Sequence, residues 1–139
     1  MANPAFSTRY RLPDGRLAVD VTENKTLAAE DSGLVQNVTV ASVVVTLPAT
    51  ATVGTWTVRD GGVKATSAAY GAKATPALPT VDPNASDTVA GLNVEGTEQD
   101  GKYLKNTGGR IGDEITITNG PTNGGYISAA VIGDWVREA

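Results

Sequence analysis

Adjacent carboxylates occur twice in this chain, at Glu30-Asp31 and Asp113-Glu114. Hydrolysis of a glycosidic bond needs two carboxyl groups that converge on one site. Neighbours on a strand point to opposite faces, so neither pair converges on a bond or a metal. Asp82, Asp87, Glu95, Glu98 and Asp100 could gather around calcium from several loops, but no Asp-x-Asp-x-Asp spacing supports that. They read as solvated loop acids. Ser32, in Asp31-Ser32-Gly33, would need a basic partner to act as a nucleophile. The chain has no histidine, which leaves Lys25 as the nearest candidate, and nothing in the sequence aims it. Gly108-Gly109-Arg110-Ile111-Gly112 has the glycine content of a phosphate loop. It lacks a following helix and the Lys-Ser/Thr pair, so it reads as a turn. Trp56, Trp135 and Tyr126 could form a sugar-binding platform, yet each sits in an alternating strand pattern that predicts a core position. The expectation is a protein that is not an enzyme, with no catalytic residue, no cofactor and no metal.

The composition narrows the classes further. The 139 residues include no cysteine and no histidine. That removes thiol catalysis, disulfides, Cys/His zinc sites and histidine-based triads. A net charge of −4 argues against a nucleic-acid partner, which calls for a basic face. No apolar run reaches the roughly 18 residues of a membrane span. The N-terminus lacks the charged-then-apolar pattern of a cleaved signal, so synthesis in the cytoplasm is expected. A chain of this length buries roughly two-thirds of its unfolded surface and supports one core. Sixteen glycines, seven prolines and many Ala, Thr and Val residues predict an all-β domain with many turns.

The elements follow from alternation. The stretch 41–62 reads as two strands joined by a Pro/Gly connection. Val43, Val45 and Leu47 alternate in the first, and Trp56 and Val58 in the second. Pro48 stops the first run, and Asp60-Gly61-Gly62 turns the chain after the second. Further strands are predicted around Leu17–Val21, 34–40, 89–94, 102–106, 114–119 and 126–132, with a closing segment at Trp135. Residues 26–33 give at most one helical turn. Leu47, Trp56, Val58, Ile115, Ile117 and Trp135 are the predicted core. Residues 1–15 read as an extended arm. In it, Phe6, Arg9, Tyr10 and Arg11 are candidate anchors on a partner. Residues 16–139 read as one domain with a long surface excursion at about 63–86. Eight or nine short strands without a full helix predict an antiparallel two-sheet β-sandwich or jelly roll.

Taken in order, these pieces resemble a known class. They are Leu27-x-x-x-Asp31-Ser32-Gly33, Val45-Thr46-Leu47-Pro48-Ala49, Gly54-Thr55-Trp56-Thr57-Val58, Asp87-Thr88-Val89-Ala90-Gly91, Gly112-Asp113-Glu114-Ile115-Thr116-Ile117, Gly125-Tyr126-Ile127-Ser128 and Gly133-Asp134-Trp135. Over about residues 16–137 the chain resembles small β-sandwich domains of tailed-bacteriophage structural proteins, especially head decoration (cement) proteins and fibre domains. The arm and the excursion lie outside that pattern. The resemblance implies a virion protein on the outer capsid surface, a homotrimer that bridges major capsid protein subunits. The alternative it implies is a head- or tail-fibre module binding a host receptor or glycan.

Overall fold

Alternating β-branched and polar residues form strands along the chain. The computed structural model describes residues 9–49, 52–63, 75–83, 89–94, 97–99, 104–119 and 126–137. In chain order the strands are β1 (Arg9–Arg11), β2 (Leu17–Val21), β3 (Lys25–Thr26), β4 (Val35–Val38), β5 (Val44–Thr46), β6 (Gly54–Asp60), β7 (Thr80–Asp82), β8 (Val89–Val94), β9 (Thr97–Gln99), β10 (Leu104–Asn106), β11 (Glu114–Asn119), β12 (Tyr126–Ile132) and β13 (Trp135–Arg137). One turn of 3-10 helix, Ala29–Asp31, falls within the stretch that predicted a single helical turn. Among the described residues the protein is all-β, built as two facing sheets. The larger runs β1-β2-β4-β6-β11-β12-β8-β9 and the smaller β13-β10-β7-β5-β3.

The sheets are mixed, which corrects the antiparallel expectation. β2 with β4, β4 with β6, β12 with β8, β3 with β5, and β5 with β7 all pair in parallel. The cause is the route of the chain. From β2 to β7, successive strands alternate between the larger and the smaller sheet. Each return to a sheet therefore lays a strand beside its predecessor in the same direction. The 41–62 stretch illustrates this: β5 lies in the smaller sheet and β6 in the larger, so its Pro/Gly connection crosses between layers. Antiparallel pairing takes over where β11 joins β6 and β12.

The main core fills the space between the layers. From the larger sheet come Val21, Val38, Trp56, Val58, Ile115 and Ile117; from the smaller, Val45, Val81, Leu104 and Trp135, with Leu27, Val43, Leu47 and Ala77 from connections. The six predicted core residues thus lie in one cluster, each at most 1% exposed. Each buried indole removes roughly 150–250 Å² from water, worth about 4–6 kcal/mol as an upper bound. Trp135 also donates its Nε1–H to the Ile132 carbonyl at 3.0 Å, which ties down the last strand.

Three further expectations change. The arm predicted over residues 1–15 is sheet from Arg9: β1 pairs antiparallel with β2. Phe6 lies outside the described residues. The excursion predicted at about 63–86 is broken by β7, a central strand of the smaller sheet whose Val81 is buried. Residues 64–74 and 84–88 lie outside the described residues. Val63 and Thr75, at the two ends of the first of these segments, bridge antiparallel, and Ala77, Pro79 and Pro83, between the two segments, are buried. Proline content alone had suggested a loop here, but these prolines flank a three-residue strand instead of interrupting it. Eight or nine strands become thirteen among the described residues. The additional ones, β1, β3, β7 and β9, are two or three residues long, too short for a period to register.

Candidate functional site

The residues that alternate away from the main core form an organised polar surface on the outer face of the larger sheet. Register places Ala18, Val35 and Thr57 in one row, and Asp20, Asn37 and Arg59 in the next. Across β11, Thr116 joins the first row and Glu114 the second. The β1–β2 turn packs on this face. Leu12, Ala18 and Val35 make a second small core there, with Tyr10 against it. The turn is closed by the Leu12 N–H on the Arg16 carbonyl and the Gly15 N–H on the Leu12 carbonyl, each at 2.8 Å.

Two polar networks sit under and beside that turn. In the first, the Tyr10 hydroxyl donates to Asp20 Oδ1 and accepts from Asn37 Nδ2 at 2.8 Å. Asn37 Oδ1 in turn accepts from Arg59 Nη1 at 2.8 Å. Gly61 makes room for this amide, since a Cβ there would lie 2.6 Å from the Asn37 side chain. In the second, Arg16 grips Glu114 bidentately at 2.9 and 2.8 Å while its Nε donates to Asp14 at 2.9 Å. The Glu114 side chain is 11% exposed and Arg16 is 41% exposed, so only the carboxylate end of the pair is shielded. Hydrogen bonds to Glu114, then to Asp14, favour the charged guanidinium and raise the Arg16 pKa. The Arg16 side chain holds the exposed Asp14 carboxyl below its usual range. Thr57 and Thr116 share a hydroxyl hydrogen bond at 3.0 Å between the strands.

Burial, followed by the hydrogen bond to Asp20, raises the Tyr10 pKa. The fold therefore favours the neutral phenol. Its stabilising contribution is whole below the ordinary phenol range near pH 10 and is lost as pH rises through the raised value. Tyr10→Phe is expected to cost about 1 kcal/mol at neutral pH and to flatten the loss of stability above pH ~10. Urea unfolding of both proteins across pH 8–11.5 (roughly, bracketing the phenol pKa) checks this; parallel curves would assign the alkaline slope elsewhere.

Of the candidate anchors, Arg9 and Arg11 are exposed on β1, Tyr10 is half-buried in the first network, and Phe6 lies outside the described residues. Arg11 donates to the Gly15 carbonyl at 2.8 Å. Asp113 and Glu114 do point apart: Asp113 accepts from Asn106 Nδ2 at 2.9 Å, whereas Glu114 faces Arg16. The Ser32 hydroxyl accepts the Thr55 N–H at 3.0 Å, and Lys25 pairs with Asp31 at 3.2 Å, so these two do not form a nucleophile and base. Arg110 to Asp113 is a turn, closed by the Asp113 N–H on the Arg110 carbonyl at 3.1 Å, and a strand follows it. Trp56 and Trp135 are buried and cannot form a sugar platform with Tyr126 of β12. Among the described residues no group of three or more acidic side chains is placed to hold a metal. The five-acid loop cluster cannot be followed, because Asp87, Glu95 and Asp100 lie outside the described residues.

Sequence reasoning did not find Arg16, Asp20, Asn37, Arg59 or Glu114 as a unit. The one available signal was a polar side chain at an alternate position of an otherwise apolar run, as in Val19-Asp20-Val21. Their partners are far away in the chain; Arg16 and Glu114 are separated by 98 positions. Known protein families, curated proteins and solved structures contain no match to this chain.

Proposed function

We propose that this is a phage capsid decoration protein, a homotrimer that binds the outer surface of an icosahedral head and stabilises contacts between major capsid protein subunits. The observation that carries the reading is a cationic edge on an acidic protein. Arg9 and Arg11 are exposed on β1, in a chain whose net charge is −4. Pairing with β2 and the bonds of Tyr10 to Asp20 and Asn37 hold that edge in place. A pre-ordered edge loses little conformational entropy on docking. Repetition in a trimer then converts weak contacts into avidity at capsid geometry, with little affinity for free coat subunits.

The test is co-sedimentation with expanded capsids lacking the protein. Deleting residues 2–11 would remove β1 and its bonds to the sheet, so charge reversal is the cleaner probe. Arg9→Glu with Arg11→Glu is expected to weaken capsid binding at least about tenfold, with an unchanged circular dichroism spectrum. Wild-type binding should also weaken with salt, because exposed charges are screened beyond about 8–10 Å. Undiminished binding of the double variant would remove the edge from the mechanism. Light scattering tests the assembly state, with three 14.2 kDa chains expected.

A further inference from the structure

Lys25 and Gln36 come from different sheets, β3 at the edge of the smaller and β4 within the larger. Their side chains meet: Lys25 Nζ lies 2.8 Å from Gln36 Oε1 and 3.2 Å from Asp31 Oδ1. The second Asp31 oxygen accepts the Ala28 N–H at 2.9 Å, which fixes the carboxylate beside the amine. Gln36 is wholly buried, and its Nε2 has no hydrogen-bond partner. Buried donors are almost always paired, so an orphan carboxamide NH₂ calls for an explanation. An amine, a desolvated primary carboxamide and a carboxylate within reach of one another are the groups needed for amide exchange. The carboxylate is placed to move protons in it.

We infer that Lys25 and Gln36 join in an isopeptide cross-link, with Asp31 carrying the protons. Asp31 takes a proton from the Lys25 ammonium. The freed Nζ electron pair adds to Gln36 Cδ, one bond beyond the oxygen it already contacts, and the carbonyl electrons move to Oε1. Asp31 delivers its proton to Nε2 and takes a second one from Nζ. The Cδ–Nε2 bond then breaks as the carbonyl re-forms, and ammonia leaves with the proton that Asp31 holds. In sum, one ammonium and one carboxamide become a secondary amide and an ammonium ion, with no oxidant or cofactor. The product replaces the orphan NH₂ with a single N–H that faces Asp31. It also ties the two sheets together covalently in a chain that has no cysteine.

Intact-mass measurement of the denatured protein tests this. The wild type is expected about 17 Da below its sequence mass, the loss of one ammonia. Peptide fragmentation should show a branched species joining residues 25 and 36. Lys25→Arg, which keeps the charge but not the amine, should restore the full mass. A wild-type protein at full sequence mass after prolonged incubation overturns the inference. So does a deficit that Lys25→Arg retains, because that places the lost ammonia elsewhere, as in succinimide formation at Asn119-Gly120.

Discussion

Asp60→Ala is expected to lower the unfolding free energy by about 4 kcal/mol, because it strands several buried donors at once. Asp60 is fully buried at the end of β6. Its Oδ1 accepts the N–H of Gly62 at 3.0 Å and of Ala77 at 2.8 Å, and its Oδ2 that of Leu78 at 3.1 Å. One carboxylate thus holds both the departure of the chain after β6 and its return before β7. Leu78 has φ of 53°, a left-handed conformation that costs a non-glycine residue about 1–2 kcal/mol. The bond from its N–H to Asp60 offsets that cost. Asp60→Asn keeps one acceptor oxygen and sets an NH₂ group against an N–H, so an intermediate loss of about 2–3 kcal/mol is expected. Urea unfolding gives the free energies. Hydrogen exchange at Ala77 and Leu78 locates the effect, and it should accelerate there before it does in β11. A loss under about 1 kcal/mol with unchanged exchange would mean that burial of Ala77 and Pro79 holds the connection without the carboxylate.

Gly133→Ala is expected to cost about 3–4 kcal/mol, the sum of a backbone and a packing penalty. Gly133 joins β12 to β13 with φ of 88°, which disfavours any side chain. A Cβ there would lie 2.1 Å from Asp113 Cγ and 2.2 and 2.4 Å from its two carboxylate oxygens. Asp113 cannot retreat easily, because it is buried and bonded to Asn106. Gly108 also lies against it, where a Cβ would come 2.6 Å from Oδ2. Gly109→Ala separates the two penalties. Its φ is 67° but a Cβ there would meet nothing within 4 Å, so only the backbone cost of about 1 kcal/mol is expected. Equal losses for the two variants would show that Asp113 moves aside freely.

The long alternating runs could be read directly. In β6 and β11, Trp56, Val58, Ile115 and Ile117 face the core, while Thr57 and Thr116 face outward and bond to each other. A period of two specifies which side chains share a face, whatever strand lies alongside. For the same reason the pairing was not legible. Alternation looks identical in a parallel and an antiparallel strand, so the shuttling of β2 through β7 between layers left no local mark. Nor did the short strands: β7 gains its place from Val81 packing in the core, not from its own three residues.

The same division holds for the candidate site. Composition alone removed thiol, disulfide and histidine chemistry, since those groups are missing from the chain. The arginines of the N-terminal segment could be recognised as a cationic feature. That they form a fixed edge depends on β2, and on the Tyr10 hydroxyl, which donates to Asp20 and accepts from Asn37, 10 and 27 positions away. Local sequence thus decided which residues form the longer strands and which of their faces is apolar, because both follow from side-chain alternation over several residues. Tertiary structure decided the sheet each strand joined, the Arg16–Glu114 grip and the meeting of Lys25 with Gln36. Those depend on burial shared between distant segments, and no stretch of chain carries that information alone.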